Sequence, residues 1–147
     1  MSKLTTLDPG FRPIVDKFLA EIAKAGIPVL VTAGRRTIAE QNVLYAQGRT
    51  KPGGIVTKAK GGQSPHNFGC AVDIVPLTGG KPDWRCDPAI WESLGVIGRA
   101  CGLVWGGDFK SIRDRPHFES PTWRTLQAEW KRDQLTKSGS NPRDQIF

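Results

Sequence analysis

Residues 64–73 read Ser-Pro-His-Asn-Phe-Gly-Cys-Ala-Val-Asp, and the apolar pair Ile74-Val75 follows directly. A glycine before an apolar run predicts a loop that turns and then enters a buried β-strand. His66 and Asp73, seven residues apart in this stretch, are both residue types that bind zinc in proteins. The stretch is therefore one half of a candidate metal site.

The other half is expected around His117, the second of the two histidines in the chain. It lies in the stretch Asp-Arg-Pro-His-Phe-Glu at 114–119, which reads as a short strand that also carries carboxylates. Two histidines and one aspartate would supply three protein ligands and leave a fourth zinc position open. A lone histidine in a chain of this size is more often structural. Here, however, both histidines fall in carboxylate-bearing segments.

The two segments share a spacing pattern with a known family. The pattern consists of Ser64-x-His66-x-x-Gly69-x-Ala71-x-Asp73, followed by Asp114-x-x-His117. It resembles the signature of the M15-type zinc peptidases, the D-alanyl-D-alanine carboxypeptidases and L-alanyl-D-glutamate endopeptidases that cut peptidoglycan stem peptides. Over about residues 28–119 the chain most resembles phage endolysins of the L-alanyl-D-glutamate type. The resemblance implies hydrolysis of that bond, with Zn²⁺ as cofactor and peptidoglycan as partner.

The resemblance also implies roles for single residues. His66, Asp73 and His117 would bind Zn²⁺, which lowers the pKa of a coordinated water towards ~7. Asp114 would be the general base that takes a proton from this water and returns it to the leaving amine. Carboxypeptidases of the family usually have Glu at this position and the endopeptidases often have Asp, which favours the endopeptidase. From its two arginine neighbours alone, Asp114 could also be a surface ion-pair residue.

Candidate substrate-binding residues are Arg36, Gln41 and Ser64. The stretch Arg36-Thr37-x-x-x-Gln41 resembles one that lines the substrate cleft in the family, where an arginine fork can hold a carboxylate. Relatives often have Tyr at the position of Arg35, so the local shape of the cleft is expected to differ. From spacing alone, Arg35 and Arg36 are more typical of a solvated basic loop, and it is the resemblance that favours the cleft. The hydroxyl of Ser64 either hydrogen-bonds near the site or shapes the turn.

Helix-capping residues and apolar residues at helical spacing predict four helices. They are expected from Asp8-Pro9 to Gly26, from the Thr37/Glu40 capping box to about Gly48, from Asp87-Pro88 to Gly102, and from Pro121 onwards. The β-branched run Pro28–Ala33 predicts a buried strand. Together with the resemblance, these elements imply an α+β fold of the hedgehog and D,D-peptidase kind. Its small, mainly antiparallel sheet would carry the zinc site, with the helices packed around it.

A chain of 147 residues is long enough for a single domain with its own core. We expect residues 1–130 to form the catalytic domain and the polar residues 131–147 to be a flexible tail. Residues 49–63, rich in glycine and lysine, predict a mobile loop beside the site. The loop would be either a solvated linker or a basic lip that holds an acidic glycan-peptide strand. Trp105 would pack under the zinc loop or form the floor of the cleft.

The composition excludes several classes of protein. No apolar run is long enough to cross a bilayer, and the N-terminus lacks the apolar core of a signal peptide, so we expect the product to start in a cytoplasm. Three cysteines without a CxxC pair argue against a disulfide framework or a thiolate zinc cluster. The formal net charge of +7 favours an anionic partner, either nucleic acid or a bacterial envelope. The metal motif favours the envelope.

Three rival functions stay open. A non-catalytic zinc module could bind cell wall or a protein, but it would lack a general base. A small basic nucleic-acid-binding protein would fit the charge and five tryptophans, but no binding motif is recognisable. A D,D-carboxypeptidase would act on D-Ala-D-Ala termini. Our expectation is a monomeric phage lysis enzyme without a nucleic-acid partner, held in the host cytoplasm until a membrane pore releases it to the periplasm and cell wall.

Overall fold

The computed structural model describes residues 3–137, which contain four helices and five strands joined by loops and turns. The helices are α1 (Arg12–Lys24), α2 (Ile38–Ala46), α3 (Pro88–Ala100) and α4 (Trp123–Lys137). The strands are β1 (Val29–Ala33), β2 (Ala71–Thr78), β3 (Lys81–Pro82), β4 (Val104–Trp105) and β5 (His117–Glu119). Short 3-10 turns lie at Pro65–Phe68 and Gly106–Asp108. The predicted α+β class is confirmed.

The sheet is antiparallel, with the strand order β1-β2-β5-β4 and with β3 paired to the far end of β2. The central strand β2 has the buried residues Val72, Ile74 and Val75, which explains why apolar residues flank Asp73 on both sides. Asp73 of β2 lies directly opposite His117 of β5. Directly opposite residues on neighbouring strands have Cβ atoms about 5 Å apart. The sheet register therefore brings two of the predicted metal ligands together.

Strand β1 is not the buried strand that its sequence predicts. It lies at the edge of the sheet, where β2 is its one partner among the described strands, and Leu30 is 45% exposed. The register between β1 and β2 shifts between Val31 and Ala33, as in a β-bulge. Bulges are common at sheet edges and next to functional sites, where they redirect the chain.

Helices α1 and α3 contact each other over the core. Phe18 of α1 contacts Phe118 of β5 at a centroid distance of 4.6 Å, and Trp105 of β4 stacks on the same ring at 6.3 Å. The indole N–H of Trp105 donates to the carbonyl of Arg115. Trp105 is thus buried in the core beneath β5, and it does not form the floor of a cleft.

Local signals place most helix ends correctly. The Thr37/Glu40 capping box starts α2, Asp87 caps α3, and Gly26 with a positive φ follows α1. Helix α1 starts later than predicted, because the Asp8 carboxylate accepts from Gly10 in a turn that precedes the helix. Helix α4 continues to Lys137, so the expected tail overlaps it at residues 131–137. The rest of that tail, residues 138–147, lies outside the described residues.

Residues 57–63 are held in place, in contrast to the mobile loop that their composition predicts. The side-chain amide of Gln41 donates to the carbonyl of Ala59, and the side chain of Asn42 accepts from the N–H of Gly61. From the other side, Gln127 of α4 donates to the carbonyl of Gly62. These bonds fix the segment between α2 and α4. Composition alone does not reveal these hydrogen bonds, because the partner side chains on α2 and α4 are distant in sequence from residues 57–63.

No helix within residues 3–137 is long and apolar enough to cross a membrane. The three cysteines are free, as predicted, with Cys70 and Cys86 buried and Cys101 half-buried. Desolvation raises the pKa of the Cys70 thiol to about 11, which suits an inert core residue.

Candidate metal centre

The 3-10 turn at residues 65–68 aims His66 into the site. The hydroxyl of Ser64 and the side chain of Asn67 form a capping box for this turn. Gly69 ends the turn at φ +67°, where an added Cβ would lie 2.6 Å from the backbone nitrogen of Asp8. Only glycine is compatible with both constraints. The motif glycine therefore serves the turn, and through it the position of His66.

Three side chains converge where this turn meets the sheet. The Asp73 Oδ1 atom lies 3.3 Å from Nε2 of His66 and 3.3 Å from Nδ1 of His117. Both imidazole rings are buried, with centroids 5.1 Å apart in an edge-on arrangement. The structure thus brings together the three residues that the sequence predicts as ligands.

The outer nitrogen of each imidazole is hydrogen-bonded to an oxygen. His66 Nδ1 lies 2.7 Å from the carbonyl oxygen of Gly34, and His117 Nε2 lies 2.7 Å from Oε1 of Glu119. Because a carbonyl and a carboxylate can only accept, these outer nitrogens carry the protons. A metal that replaces the proton between each inner nitrogen and Asp73 would therefore meet the lone pairs of both inner nitrogens at the same point. Outer partners of this kind orient the histidine ligands of metal sites.

The charges of the site favour a cation at this point. Desolvation lowers the pKa of His117, but hydrogen bonds and negative charge from Asp73 and Glu119 outweigh it and raise the pKa to about 9. Burial alone would raise the pKa of Asp73, yet hydrogen bonds from His117 and His66 hold it well below its usual range. The carboxylates thus stabilise positive charge here. A metal ion and a proton therefore compete for one position.

The donor set fits zinc. The ligand atoms of His66, Asp73 and His117 all lie within 4.8 Å of one another. Zinc bonds to nitrogen and oxygen are about 2.1 Å long, so tetrahedral ligands lie about 3.4 Å apart. Both measured contacts of Asp73, at 3.3 Å, agree with this spacing. Two imidazoles and one carboxylate are more typical of zinc than of magnesium or calcium.

Asp114 adjoins this centre, although it is accessible to solvent. Its N–H donates to the carbonyl of Gly106 and its carbonyl accepts from the N–H of His117, which fixes the turn before β5. Desolvation raises the pKa of the Asp114 carboxyl, His117 lowers it and Asp73 raises it, so that it lies above its ordinary value. Within residues 3–137 this carboxyl forms no ion pair with either neighbouring arginine. Its electrostatic neighbours are the metal-site residues.

Of the three candidate substrate-binding residues, one is accessible and two are buried. The guanidinium of Arg36 is half-buried and donates to Oε1 of Gln41, 3.0 Å away. Gln41 is fully buried, and its amide also donates to Ala59, so its polar atoms are used inside the chain. Ser64 is buried and caps the 3-10 turn. The polar atoms of Gln41 and Ser64 are thus used inside the chain, and Ser64 shapes the turn, which is one of its two predicted roles. Substrate contact by Arg36, Gln41 and Ser64 stays a prediction.

Glu119 is the functional residue that sequence reasoning left without a role. Strand side chains two positions apart share a face, so its position two residues after His117 predicts that both point the same way. The carbonyl of Gly34 has no such signal, because a backbone acceptor 32 residues away depends on the tertiary fold.

Sequence comparison identifies the family of the chain. A family model described as D-alanyl-D-alanine carboxypeptidase matches residues 57–120, and a second model of that description matches residues 5–86. The peptidoglycan L-alanyl-D-glutamate endopeptidase CwlK of Bacillus subtilis is 39% identical over 121 residues, which are 77% of this chain and 72% of CwlK. The chain belongs to the D-alanyl-D-alanine carboxypeptidase family. The resemblance seen in the two motifs is thereby confirmed.

Solved structures share the fold of this carboxypeptidase-family chain. The L-Ala D-Glu endopeptidase ChiX of Serratia marcescens has a TM-score of 0.60 at 24% identity, over 85% of this chain and 87% of ChiX. A mutant of the vancomycin resistance D,D-pentapeptidase VanY in complex with Zn(II) has a TM-score of 0.56 at 17% identity, over 83% of this chain and 78% of VanY. At these identities the likeness concerns the fold alone, and it confirms the predicted fold class.

Proposed function

We propose that this family member is a zinc-dependent endopeptidase that hydrolyses the L-alanyl-D-glutamate bond of peptidoglycan stem peptides. The observation that carries the proposal is the convergence of His66, Asp73 and His117 on one point beside the Asp114 carboxyl. The choice of bond is supported by the 39% identity to CwlK, an enzyme named for this reaction. Peptidase activity itself follows from membership of the family.

Zinc would be held by Nε2 of His66, Oδ1 of Asp73 and Nδ1 of His117, the atoms that face one another in the structure. When bound, zinc supplies a Lewis acid and lowers the pKa of a coordinated water to about 7. Gly34 and Glu119 accept the outer protons of the two imidazoles, so that the inner nitrogens are the ones that would give up a proton to the metal. The chain thus prepares the site before a metal arrives.

Asp114 would serve as the general base and then as the acid. A base works best when its pKa approaches the working pH, because it must both accept and release a proton. The raised pKa of Asp114 moves it in this direction. Its backbone hydrogen bonds to Gly106 and His117 fix the turn from which the carboxyl would reach the reacting atoms. It would take the proton of the attacking water and pass it to the leaving amine of D-glutamate.

Arg36 would bind the substrate beside this carboxyl. Of the charges that act on Asp114, that of Arg36 has the smallest effect, and it lowers the pKa of this carboxyl. An arginine fork suits a peptide carboxylate or the carbonyl under attack. Gln41 accepts one N–H of Arg36 and thereby limits the conformations of its side chain.

The proposal is tested with two soluble peptides and mass spectrometry. One peptide contains L-alanyl-γ-D-glutamate, and the other ends in D-Ala-D-Ala. The zinc-loaded protein should release a product with a new N-terminal D-glutamate from the first and leave the second intact. Release of D-alanine from the second alone would select the D,D-carboxypeptidase, the activity for which both family models are described.

Asp114→Asn tests the role of the base. Because the amide cannot accept the proton of the water, turnover should fall by about 10²–10⁴-fold, while zinc content and the thermal midpoint stay near wild type. Glu92→Gln, which removes an exposed carboxylate near Arg113, is the matched control. Near-normal turnover of Asp114→Asn would show that Asp114 is a surface residue without a catalytic role. Absence of turnover in both wild type and Glu92→Gln would favour a non-catalytic zinc module.

We further propose a biological role in lysis of a bacterial host, with the enzyme kept in the host cytoplasm until a membrane pore releases it. The support is the resemblance to phage endolysins. Expression in a bacterium with and without a separate pore-forming protein tests the role. Lysis should require both the pore and an intact Asp114. Growth without lysis when both are present would contradict it.

A further inference from the structure

A groove with basic walls lies between residues 58–63 and helix α4. Two adjoining cavities form it, and both are lined by Gln63 and Lys131. Four cationic side chains line this groove, and they are Lys58, Lys60, Arg124 and Lys131. No acidic residue of the described chain lines either cavity. We call this surface the basic groove.

Within residues 3–137, the cations of the basic groove form no ion pair with a carboxylate. The side chains of Lys58 and Lys131 form no hydrogen bond or ion pair within residues 3–137. Arg124 lies over the ring of Trp123 at 4.5 Å, and Lys60 lies 5.6 Å from the ring of Tyr45. Aromatic contacts of this kind leave the positive charge uncompensated. The basic groove therefore presents net positive charge to a ligand.

The walls of the basic groove are fixed before any ligand binds. Gln127, itself buried, ties Gly62 to α4, and Gln41 ties Ala59 to α2. Gly62 packs on the Trp130 ring so closely that an added Cβ would lie 2.6 Å from it. A preformed surface loses little conformational entropy on binding. This order is unexpected for a solvated linker.

The basic groove also has an apolar part. Trp130 and Leu135 of α4 line it together with Gly61, and Leu135 is 38% exposed. Cations beside an apolar surface fit a ligand that alternates carboxylates with apolar faces, as sugar rings with attached peptides do. A flat membrane would contact the rim of a groove more than its floor.

The basic groove adjoins the turn that carries His66. Gln63 directly precedes the capping residue of that turn, and the side chain of Asn67 within the turn accepts from the N–H of Gly62. Phe68 of the same turn contacts the ring of Trp130 at a centroid distance of 5.9 Å. A ligand in the basic groove is thus held close to the element that builds the metal centre.

We propose that the basic groove binds the anionic glycan-peptide strand of the bacterial cell wall and retains the enzyme on its polymeric substrate. The inference rests on the proposed function for the identity of the polymer, and it assigns to residues 58–63 and α4 a binding site separate from the metal centre. The charges of the basic groove meet carboxylates of stem peptides, and its apolar part meets the glycan.

The double variant Lys58→Glu/Lys131→Glu tests the basic groove, because both side chains are exposed and neither forms a hydrogen bond or ion pair within residues 3–137. Lys17→Glu/Lys81→Glu is the matched control: both lysines are exposed, neither lines the basic groove, and the formal charge falls equally, from +7 to +3. Zinc-loaded proteins are sedimented with purified sacculi on ice in about 0.1 M salt. The groove variant should bind about tenfold more weakly than wild type and control. All three should cleave the soluble L-alanyl-γ-D-glutamate peptide equally.

Other outcomes would overturn the proposal in distinguishable ways. Equal sedimentation of all three proteins would exclude the basic groove as a wall-binding site, even if wild type cleaves the soluble peptide. Equal loss in both double variants would show that net charge, and not this surface, retains the protein. Loss of binding to phosphatidylglycerol vesicles or duplex DNA, with sacculus binding unchanged, would assign the groove to another polyanion. Failure of wild type to cleave the peptide would instead reject the proposed function.

Discussion

At the scale of single residues, the metal centre depends on which nitrogen of each histidine carries a proton. Motif spacing predicted His66, Asp73 and His117, because both histidines of the chain fall in motif-spaced segments that carry carboxylates. It assigned substrate contact to Gln41 and Ser64, which the structure buries. Whether a polar side chain near a site faces the substrate or the protein depends on how distant segments cover it. That information is not local.

Glu119 yields a sharp prediction at this scale. Glu119→Ala leaves the Nε2–H of the buried His117 without its acceptor, so zinc affinity should fall about 10–100-fold. Glu119→Gln keeps an acceptor oxygen but removes the charge, and it should lie between alanine and wild type. Competition with a chromophoric chelator measures the affinity. Wild-type affinity in the alanine variant would contradict the orienting role.

The pKa of His117 predicts how the metal-free protein responds to pH. Its value of about 9 in the folded chain exceeds the ordinary 6.5, so the folded chain binds this proton more tightly than the unfolded chain. The contribution of His117 to the free energy of unfolding is therefore full below about pH 6.5 and is lost as pH rises to about 9. It amounts to at most about 3 kcal/mol.

Thermal melting of chelator-treated protein measures this effect. The Tm of wild type should fall between about pH 6.5 and 9, and the fall should be smaller in His117→Asn. Zinc-loaded protein should not show it, because zinc binding strengthens as ligands lose protons. A Tm that is equally flat in chelated wild type and His117→Asn would contradict the stated role of Asp73 and Glu119.

At the scale of helices and strands, local sequence signals determine where helices begin and end, whereas tertiary contacts determine which strands and loops are covered. The Thr37/Glu40 capping box and the Gly26 stop are short-range signals, and both are confirmed. The exposure of β1 was not predictable, because an apolar β-branched run does not reveal whether one or two strands pair with it. The same holds for residues 57–63, whose hydrogen-bond partners lie on α2 and α4.

Helix α3 supports β4 and β5 through close glycine contacts. A Cβ on Gly95 would lie 2.4 Å from the Trp105 ring. Gly95→Ala should therefore lower the free energy of unfolding by about 1–3 kcal/mol, despite the better helix propensity of alanine. Gly54→Ala, whose added Cβ meets nothing within 4 Å, is the control. Urea unfolding measures both, and an unchanged midpoint for Gly95→Ala would contradict this packing.

At the scale of the whole molecule, the fold class followed from motif resemblance together with four helix patterns. The metal site could be predicted because its ligands fall in two motif-spaced segments that the sheet register then joins. The basic groove could not be predicted from the sequence, since its walls come from a loop and a helix about 65 residues apart. Net charge indicated an anionic partner, but only the fold shows which cations share a surface.

The most direct test of the account is mass spectrometry of fragments from purified Gram-negative peptidoglycan, before chelation, after chelation and after back-titration with zinc. Stem peptides with a new N-terminal D-glutamate should appear, vanish on chelation and return at about one zinc per chain. His117→Ala should stay inactive at every zinc level. Fragments that persist in fully chelated protein, or a His117→Ala variant that regains activity and one zinc per chain, would contradict the metal centre described above.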